Sequence, residues 1–107
     1  IVVTTPQNMS LSDAKKAIDM FDRVNVKVTG VVENMAYMRI DGQEQPLQLF
    51  PKGELDSYLK VKNIKKLAEV PFHPHVSLSS ESGLPMVETY PDSPEAEAFE
   101  QIVQSLI

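Results

Sequence analysis

The chain opens with IVVTTPQ at residues 1–7, and this stretch decides the fold. Five consecutive β-branched residues favour a strand, and Pro6 ends it because proline cannot donate a hydrogen bond to a central ladder. A strand this apolar is typical of the interior of a parallel sheet that is covered on both faces. Because it starts at the first residue, we expect residue 1 not to be the biological start of the protein.

A helix and a second strand follow this first strand. Ser10 is interpreted as the N-cap of the helix, with Asp13 completing a capping box, and the helix is expected to end near Asn25. One face of the helix carries Leu11, Ala14, Ala17, Ile18, Phe21 and Val24. Residues 26–32 are again rich in valine and predict a second strand. Together the three elements indicate a βαβ crossover in a parallel sheet.

Residues 36–52 predict a small β-hairpin that projects from the main sheet. Asp41-Gly42 lies between two short runs of strand type, and this dipeptide favours a two-residue turn. After the hairpin, residues 54–60 are expected to form a short helix.

Residues 64–70 could by their periodicity extend that helix, but we favour a third parallel strand as the natural sequel to βαβ. Pro71 and Pro74 end the element in either case, because residues before proline avoid the α region.

Two further helices are predicted in the last third of the chain. Residues 75–82 are expected to form a short helix stopped by Gly83. Ser93 as N-cap and Pro94 at the first helical position predict a C-terminal helix that runs to the end.

Composition excludes several classes of function. The formal net charge of −5 argues against a nucleic-acid partner. No apolar stretch approaches the roughly 20 residues needed to span a bilayer. The chain has no cysteine, so this segment supplies neither disulfides nor thiolate ligands. The basic residues Lys60, Lys62, Lys65 and Lys66 are interpreted as a solvated helix end or strand edge.

Two places stand out as candidate binding residues. Asn34 follows a predicted parallel strand, where open α/β sheets bind ligands, and its amide could pair with an adenine edge. A turn or cap role is the competing interpretation. Pro71, Phe72 and His73 follow the next predicted strand and could lie along a purine, although a rigid connector explains them as well.

Other polar residues are weaker candidates. His73 and His75 suggest a metal site, but no third ligand stands at a suitable spacing. Ser77, Ser79, Ser80 and Ser82 have no base placed to activate them and are read as solvated positions. The four glycines are isolated, so no glycine-rich phosphate loop is present.

Taken together, these motifs resemble the carboxyl-terminal half of the Mrp-type P-loop ATPases, relatives of MinD and of the nitrogenase iron protein. The resemblance covers nearly the whole chain in order and spacing. It is carried by VVTTPQ at residues 2–7, VKVTGVVENM at 26–35, VPFHP at 70–74, SGLPMV at 82–87 and DSP at 92–94. It implies an α/β fold, namely a partial parallel-sheet P-loop NTPase-like domain with a βαβ core, a hairpin and a C-terminal helix.

The resemblance also implies a function for the rim residues. Asn34 would bind the adenine of ATP, and Pro71, Phe72 and His73 would flank the base, although relatives commonly carry an acidic residue at the position of His73. The phosphate loop and the groups that bind Mg²⁺ would lie upstream of residue 1, so this segment alone is not expected to hydrolyse ATP.

At the level of the whole protein, the resemblance implies a homodimer in iron–sulfur cluster assembly. Its partners would be assembly proteins or apoprotein clients, with no nucleic acid and no membrane, in the cytoplasm or in an organelle such as a chloroplast or mitochondrion. Many relatives hold an iron–sulfur cluster with a C-x-x-C pair shortly after the ENM motif, where this chain has no cysteine. The competing hypothesis is therefore a non-catalytic interaction module derived from this fold.

Overall fold

A computed structural model describes residues 1–39, 47–48 and 53–107. Within these residues strands and helices alternate as far as the third strand, and three helices follow it. The elements are β1 (Val2–Thr4), α1 (Asn8–Arg23), β2 (Val31–Met38), α2 (Leu55–Lys62), β3 (Lys66–Phe72), α3 (Pro74–Ser82), α4 (Met86–Thr89) and α5 (Pro94–Leu106).

The three strands form one parallel sheet in the order β1-β2-β3. Val2 pairs with Val31 on one side of β2, and Val31 pairs with Lys66 on the other. The predicted α/β class and the third parallel strand are therefore confirmed, and the alternative of an extended helix over residues 64–70 is excluded.

Helices cover both faces of this sheet, as the apolar strands predict. Val31 is fully buried and packs in a cluster with Ile18 of α1 and Leu55 of α2. The next residue, Val32, points to the other face and packs with Ala98 of α5. Consecutive strand residues thus enter separate cores, which explains why β2 lacks the alternation of a half-exposed strand.

The predicted bounds of the second strand are wrong. We expected residues 26–32, whereas β2 begins at Val31 and continues to Met38. Val26 is half exposed and its N–H donates to the carbonyl oxygen of Phe21, so it contacts the end of α1 and is not part of β2. At Gly30 an added Cβ would lie 2.5 Å from Leu67 Cγ, which explains why glycine stands where β2 approaches β3.

The third strand also ends later than expected. Pro71 and Phe72 belong to β3 and not to the loop after it. Proline is tolerated there because β3 is an edge of the described sheet, and because the pairing with β2 is irregular between Asn34 and Met38.

The start of the first helix differs from the prediction, because Ser10 is not its N-cap. The helix begins at Asn8 after Gln7, which makes no side-chain cap, and the Thr5 hydroxyl instead donates to Ser10 Oγ at 2.7 Å. Asp13 therefore forms no capping box.

The predicted ends of the later helices agree better with the structure. Helix α3 ends at Gly83 with φ of 74°, and the Ser93 hydroxyl oxygen accepts from the N–H of Ala96 at the start of α5. The short α4 was not predicted.

Two contacts of the predicted hairpin lie within the described residues, and in one of them the Gln48 side chain donates to the carbonyl oxygen of Ala36 at 2.9 Å. Met38 and Leu47 form an antiparallel bridge in which each N–H donates to the other's carbonyl oxygen, at 2.6 and 2.9 Å. The predicted turn at Asp41-Gly42 lies outside the described residues. No helix in the described part of the chain is both long and apolar enough to cross a bilayer.

Candidate functional site

The carboxyl ends of the three parallel strands lie along one edge of the sheet. Thr4, the last residue of β1, pairs with Glu33, and Asn34 pairs with Val70 of β3. Asn34 is therefore the first residue of β2 beyond the end of β1. We had expected Asn34 to follow the end of its strand, whereas β2 continues to Met38. This edge is where open α/β sheets bind ligands.

A pocket of about 310 Å³ opens beside Asn34. Its walls come from β1, the turn after it and the first turns of α1, and they include the polar side chains of Thr5, Ser10 and Asp13. Asn34 is exposed, and no hydrogen bond engages its side-chain amide among the residues that the structure describes. The amide can offer one acceptor and two donors to a ligand.

Met35 turns the chain sharply just after this asparagine. Its φ is 54°, in the left-handed region, which costs a residue with a side chain roughly 1–2 kcal/mol. The register between β2 and β3 is irregular over the same residues, from Asn34 to Met38. Such strained positions gather at functional sites, where they set the direction of a neighbouring side chain.

The other three predicted site residues lie next to Asn34 in register but not in its pocket. Pro71 follows Val70, the partner of Asn34, and is fully buried. Phe72 is half-buried and its carbonyl oxygen accepts from the N–H of Arg39 at 3.0 Å. None of the three lines the pocket beside Asn34.

His73 has a structural role that the sequence did not reveal. Its ring is only 3% exposed, and Nδ1 accepts a hydrogen bond from the N–H of His75 at 3.2 Å, so that the side chain caps α3. This is what a short acidic or amide side chain does at a helix N-cap. The ring of His75 also stacks on Tyr90, with centroids 4.0 Å apart, which ties the start of α3 to the end of α4.

A buried ion pair was missed by the sequence analysis. Arg39, the first residue after β2, reaches Glu95 in the first turn of α5, and Glu95 is completely buried. A glutamate in a first helical turn is usually solvent-exposed, so nothing in the sequence marked it as a core residue.

Lys66 was wrongly expected to be solvated. Its Nζ lies 2.6 Å from Asp56, 2.8 Å from Glu69 and 3.3 Å from Glu33, which is itself buried. Burial alone would lower the pKa of Lys66, but the hydrogen bonds that Lys66 donates to Asp56 and Glu69, and the charge of Glu33, outweigh it and raise the pKa well above the usual range of a lysine. A charged Glu33 in the middle of an apolar strand was the available signal, because buried carboxylates are paired.

Two weaker candidates find no support as ligand sites. No group of three or more potential metal ligands occurs among the described side chains, so His73 and His75 have no third partner there. Ser79, expected to be solvated, is buried and its hydroxyl contacts the sulfur of Met86 at 3.6 Å.

Comparison with solved structures defines the class of protein. The chain matches the MinD cell-division ATPase of Pyrococcus furiosus with a TM-score of 0.70 and 20% identity, over 96% of this chain and 39% of that one. It also matches a nucleotide-binding protein in complex with ADP from Archaeoglobus fulgidus, with a TM-score of 0.67 and 29% identity, over 89% of this chain and 37% of that one. The fold is that of the MinD-like P-loop NTPases.

The sequence comparisons then give the family. The model of the ParA family, described as NUBPL iron-transfer P-loop NTPase, matches residues 1–107. The iron–sulfur cluster carrier protein of Aquifex aeolicus is 42% identical over 99% of this chain and 29% of its own length. The iron–sulfur cluster transfer protein NUBPL of Dictyostelium discoideum is 33% identical over all of this chain and 33% of its own.

The chain therefore belongs to the ParA/NUBPL family of iron-transfer P-loop NTPases, and the resemblance to the Mrp-type ATPases is confirmed. It spans about a third of the length of these curated relatives.

Proposed function

We propose that this chain forms the base-binding side of an adenine-nucleotide site in an iron–sulfur cluster carrier. The observation that carries the proposal is the exposed Asn34 amide, which is placed at the ligand edge of a parallel sheet beside a pocket of about 310 Å³. An asparagine amide can donate to and accept from the Watson–Crick or Hoogsteen edge of adenine, and guanine offers a different pattern.

The relatives support this choice of ligand. The Archaeoglobus protein is described as being in complex with ADP, and MinD of Pyrococcus horikoshii, 20% identical to this chain, as complexed with Mg-ADP. In the proposed site, the base would extend from the pocket beside Asn34 toward Phe72 and the backbone of His73, which lie outside that pocket. Pro71 is fully buried and would contribute only by positioning them. The side chain of His73 holds α3 and contributes to the site only through that position.

The phosphate groups and Mg²⁺ would be held by residues other than these. The described side chains include no group of three potential metal ligands, and the glycines of the chain form no phosphate loop. Residues 1–107 would accordingly form the carboxyl-terminal portion of one P-loop ATPase domain. Catalysis of phosphoryl transfer would belong to the remainder of that domain.

The cargo of the protein would be an iron–sulfur cluster, as the printed names of the relatives state for them. This chain contains no cysteine and cannot itself supply thiolate ligands. Delivery to apoprotein clients by a homodimer is therefore proposed for the intact protein, with cluster ligands outside these residues. One relative from Arabidopsis thaliana is named as mitochondrial, and we expect this protein to act in the cytoplasm or an organelle.

Calorimetric titration of the intact protein with ATP and with GTP tests the base-binding role. Asn34→Ala is expected to weaken ATP binding about tenfold, the value of one well-placed hydrogen-bonding pair, while GTP binding stays unchanged. Asn25→Gly is the matched control, because Asn25 is an exposed asparagine beyond the far end of α1, with a φ of 59° that glycine adopts easily.

An unchanged ratio of ATP to GTP affinity in Asn34→Ala would contradict the role of Asn34. Absence of any heat with ATP in the wild-type protein would favour the second candidate, a non-catalytic interaction module. That alternative is favoured by one observation, the lack of cysteine in the chain.

A further inference from the structure

The charges of the chain are distributed very unevenly. Every lysine and arginine lies within residues 1–66, and residues 74–107 contain only acidic charges. One of these, Glu95, is buried against Arg39. The others are exposed, and within the described residues none forms a salt bridge: Glu81, Glu88, Asp92, Glu97 and Glu100.

An apolar groove opens on the same part of the molecule. It has a volume of about 430 Å³ and lies between α3, α4 and α5. Leu84, Val87 and Phe99 line it with side chains that are 56%, 46% and 43% exposed. We call this surface the acidic groove, because Glu88 and Glu100 directly follow its lining residues Val87 and Phe99 in the chain.

Helix α5 extends the acidic groove along its own axis. Val103 and Leu106 are each 49% exposed and follow Phe99 by four and seven positions, so all three share one face of the helix. The adjacent face of the helix packs on the sheet, through Ala98 and Ile102. A stripe of this kind, about 10 Å long on the helix and continuous with a groove, has the dimensions of a binding site for an amphipathic helix.

We propose that the acidic groove binds a basic amphipathic helix of a partner protein. Apolar side chains of the partner would occupy the space between Leu84, Val87 and Phe99. Lysine or arginine residues beside them would face Glu88 and Glu100, and would supply the positive charge that residues 74–107 lack. The surface is separate from Asn34 and its pocket, so the inference does not depend on nucleotide binding.

Charge also argues against two other occupants of the acidic groove. A second copy of the chain would bring its own Glu88 and Glu100 to the contact, and like charges facing each other across an interface oppose association. A membrane surface of anionic lipid would be repelled for the same reason.

Fluorescence anisotropy of a labelled peptide with the intact protein tests the proposal. The probe is a helical peptide of about 18 residues, five turns, with leucine on one face and lysine on the other. Two control peptides have the same length: one has the same residues in an order without an apolar face, and one has glutamate in place of lysine. We expect binding of the leucine–lysine helix alone, and weaker binding as salt is added.

Three protein variants locate the binding surface. Phe99→Ser and Glu100→Lys should each weaken binding about tenfold, since both change the groove and leave the packed face of α5 intact. Glu54→Lys is the matched charge control, because Glu54 is exposed and precedes α2, far along the chain from the groove. Circular dichroism of each variant checks that the fold is retained.

Several outcomes would overturn the inference. These are no binding of the leucine–lysine helix to the intact protein, equal binding of the peptide without an apolar face, or equal effects of Glu100→Lys and Glu54→Lys. Loss of binding only in variants outside the groove would overturn it as well.

Discussion

The guanidinium group of Arg39 and the carboxylate of Glu95 form a two-point contact, with Nε 3.0 Å from Oε2 and Nη2 2.8 Å from Oε1. Glu95 is completely buried and Arg39 is partly so. Since Arg39 follows β2 and Glu95 lies in the first turn of α5, the pair attaches the end of the central strand to the helix that covers β3. Its parallel geometry is the strongest form of an arginine–carboxylate pair.

Removing only one partner of this pair should be costly. Arg39→Met leaves a charged carboxylate buried without its guanidinium and is expected to lower the free energy of unfolding by about 3 kcal/mol. The double variant Arg39→Met, Glu95→Gln should recover much of this loss, because no unpaired charge remains. Urea unfolding of the two single variants and the double variant measures the coupling. Additive effects would show that the two side chains do not act as a pair.

The three carboxylates around Lys66 predict a stability that declines in alkaline solution. The folded pKa of Lys66 is raised because the hydrogen bonds that it donates to Asp56 and Glu69, and the charge of Glu33, outweigh the effect of burial. The folded chain therefore binds more protons than the unfolded chain above about pH 10, the ordinary pKa of lysine, and the contribution of Lys66 is lost as pH rises from there.

Comparison of two neighbouring lysines isolates this effect. Below pH 10, Lys66→Met should lower the urea midpoint clearly, whereas Lys65→Met should hardly change it, because Lys65 is exposed. Between pH 10 and 11.5 the gap between wild type and Lys66→Met should narrow. A gap that is constant or widens over this range would be inconsistent with the raised pKa.

The cap that His73 provides to α3 can be tested with two substitutions that both remove the imidazole. His73→Asn keeps a side-chain acceptor for the N–H of His75, and His73→Ala removes it. Both lose the packing of the buried imidazole, so the asparagine variant should be the more stable by about 1 kcal/mol, the usual worth of an N-cap. Equal stabilities in thermal unfolding would mean that the hydrogen bond at 3.2 Å contributes nothing.

The left-handed backbone at Met35 predicts an unusual tolerance of glycine. Glycine adopts a φ of 54° without steric cost, so Met35→Gly should regain part of what it loses in packing. Met38 is the matched control, since it is a half-buried methionine of the same strand without a positive φ. We expect Met38→Gly to be more destabilising than Met35→Gly by roughly 1–2 kcal/mol in urea unfolding. The reverse order would show that the backbone at Met35 is not strained.

The helix ends that were predicted correctly from the sequence are set by contacts between residues close together in the chain. Gly83 and Ser93 end and begin helices through contacts within a few residues, and both were predicted. Ser10 offered an equally good local signal, yet its hydroxyl bonds to Thr5 and the helix starts earlier. A local motif predicts a cap only when no nearby side chain competes for it.

Two of the missed features depend on contacts between distant parts of the chain. The burial of Glu95 depends on Arg39, which is 56 residues away, and the environment of Lys66 on Glu33 and Asp56. Neither shows in composition or periodicity. The two-residue displacement of β3, which takes in Pro71, likewise follows from pairing with β2. The position of Asn34 at the ligand edge could be predicted from the sequence, because the rule for parallel sheets needs only the order of strands.

Photolabelling of the intact protein with 8-azido-ATP tests the central claim, that adenine binds in the pocket beside Asn34 and extends toward Phe72. Trypsin should place Asn34 in the peptide from Val28 to Arg39, and Phe72 in the peptide that begins at Leu67 and contains no further lysine or arginine. We predict label in these two peptides, prevented by excess ATP and not by excess GTP. Labelling confined to other peptides, under the same protection by ATP, would contradict the account.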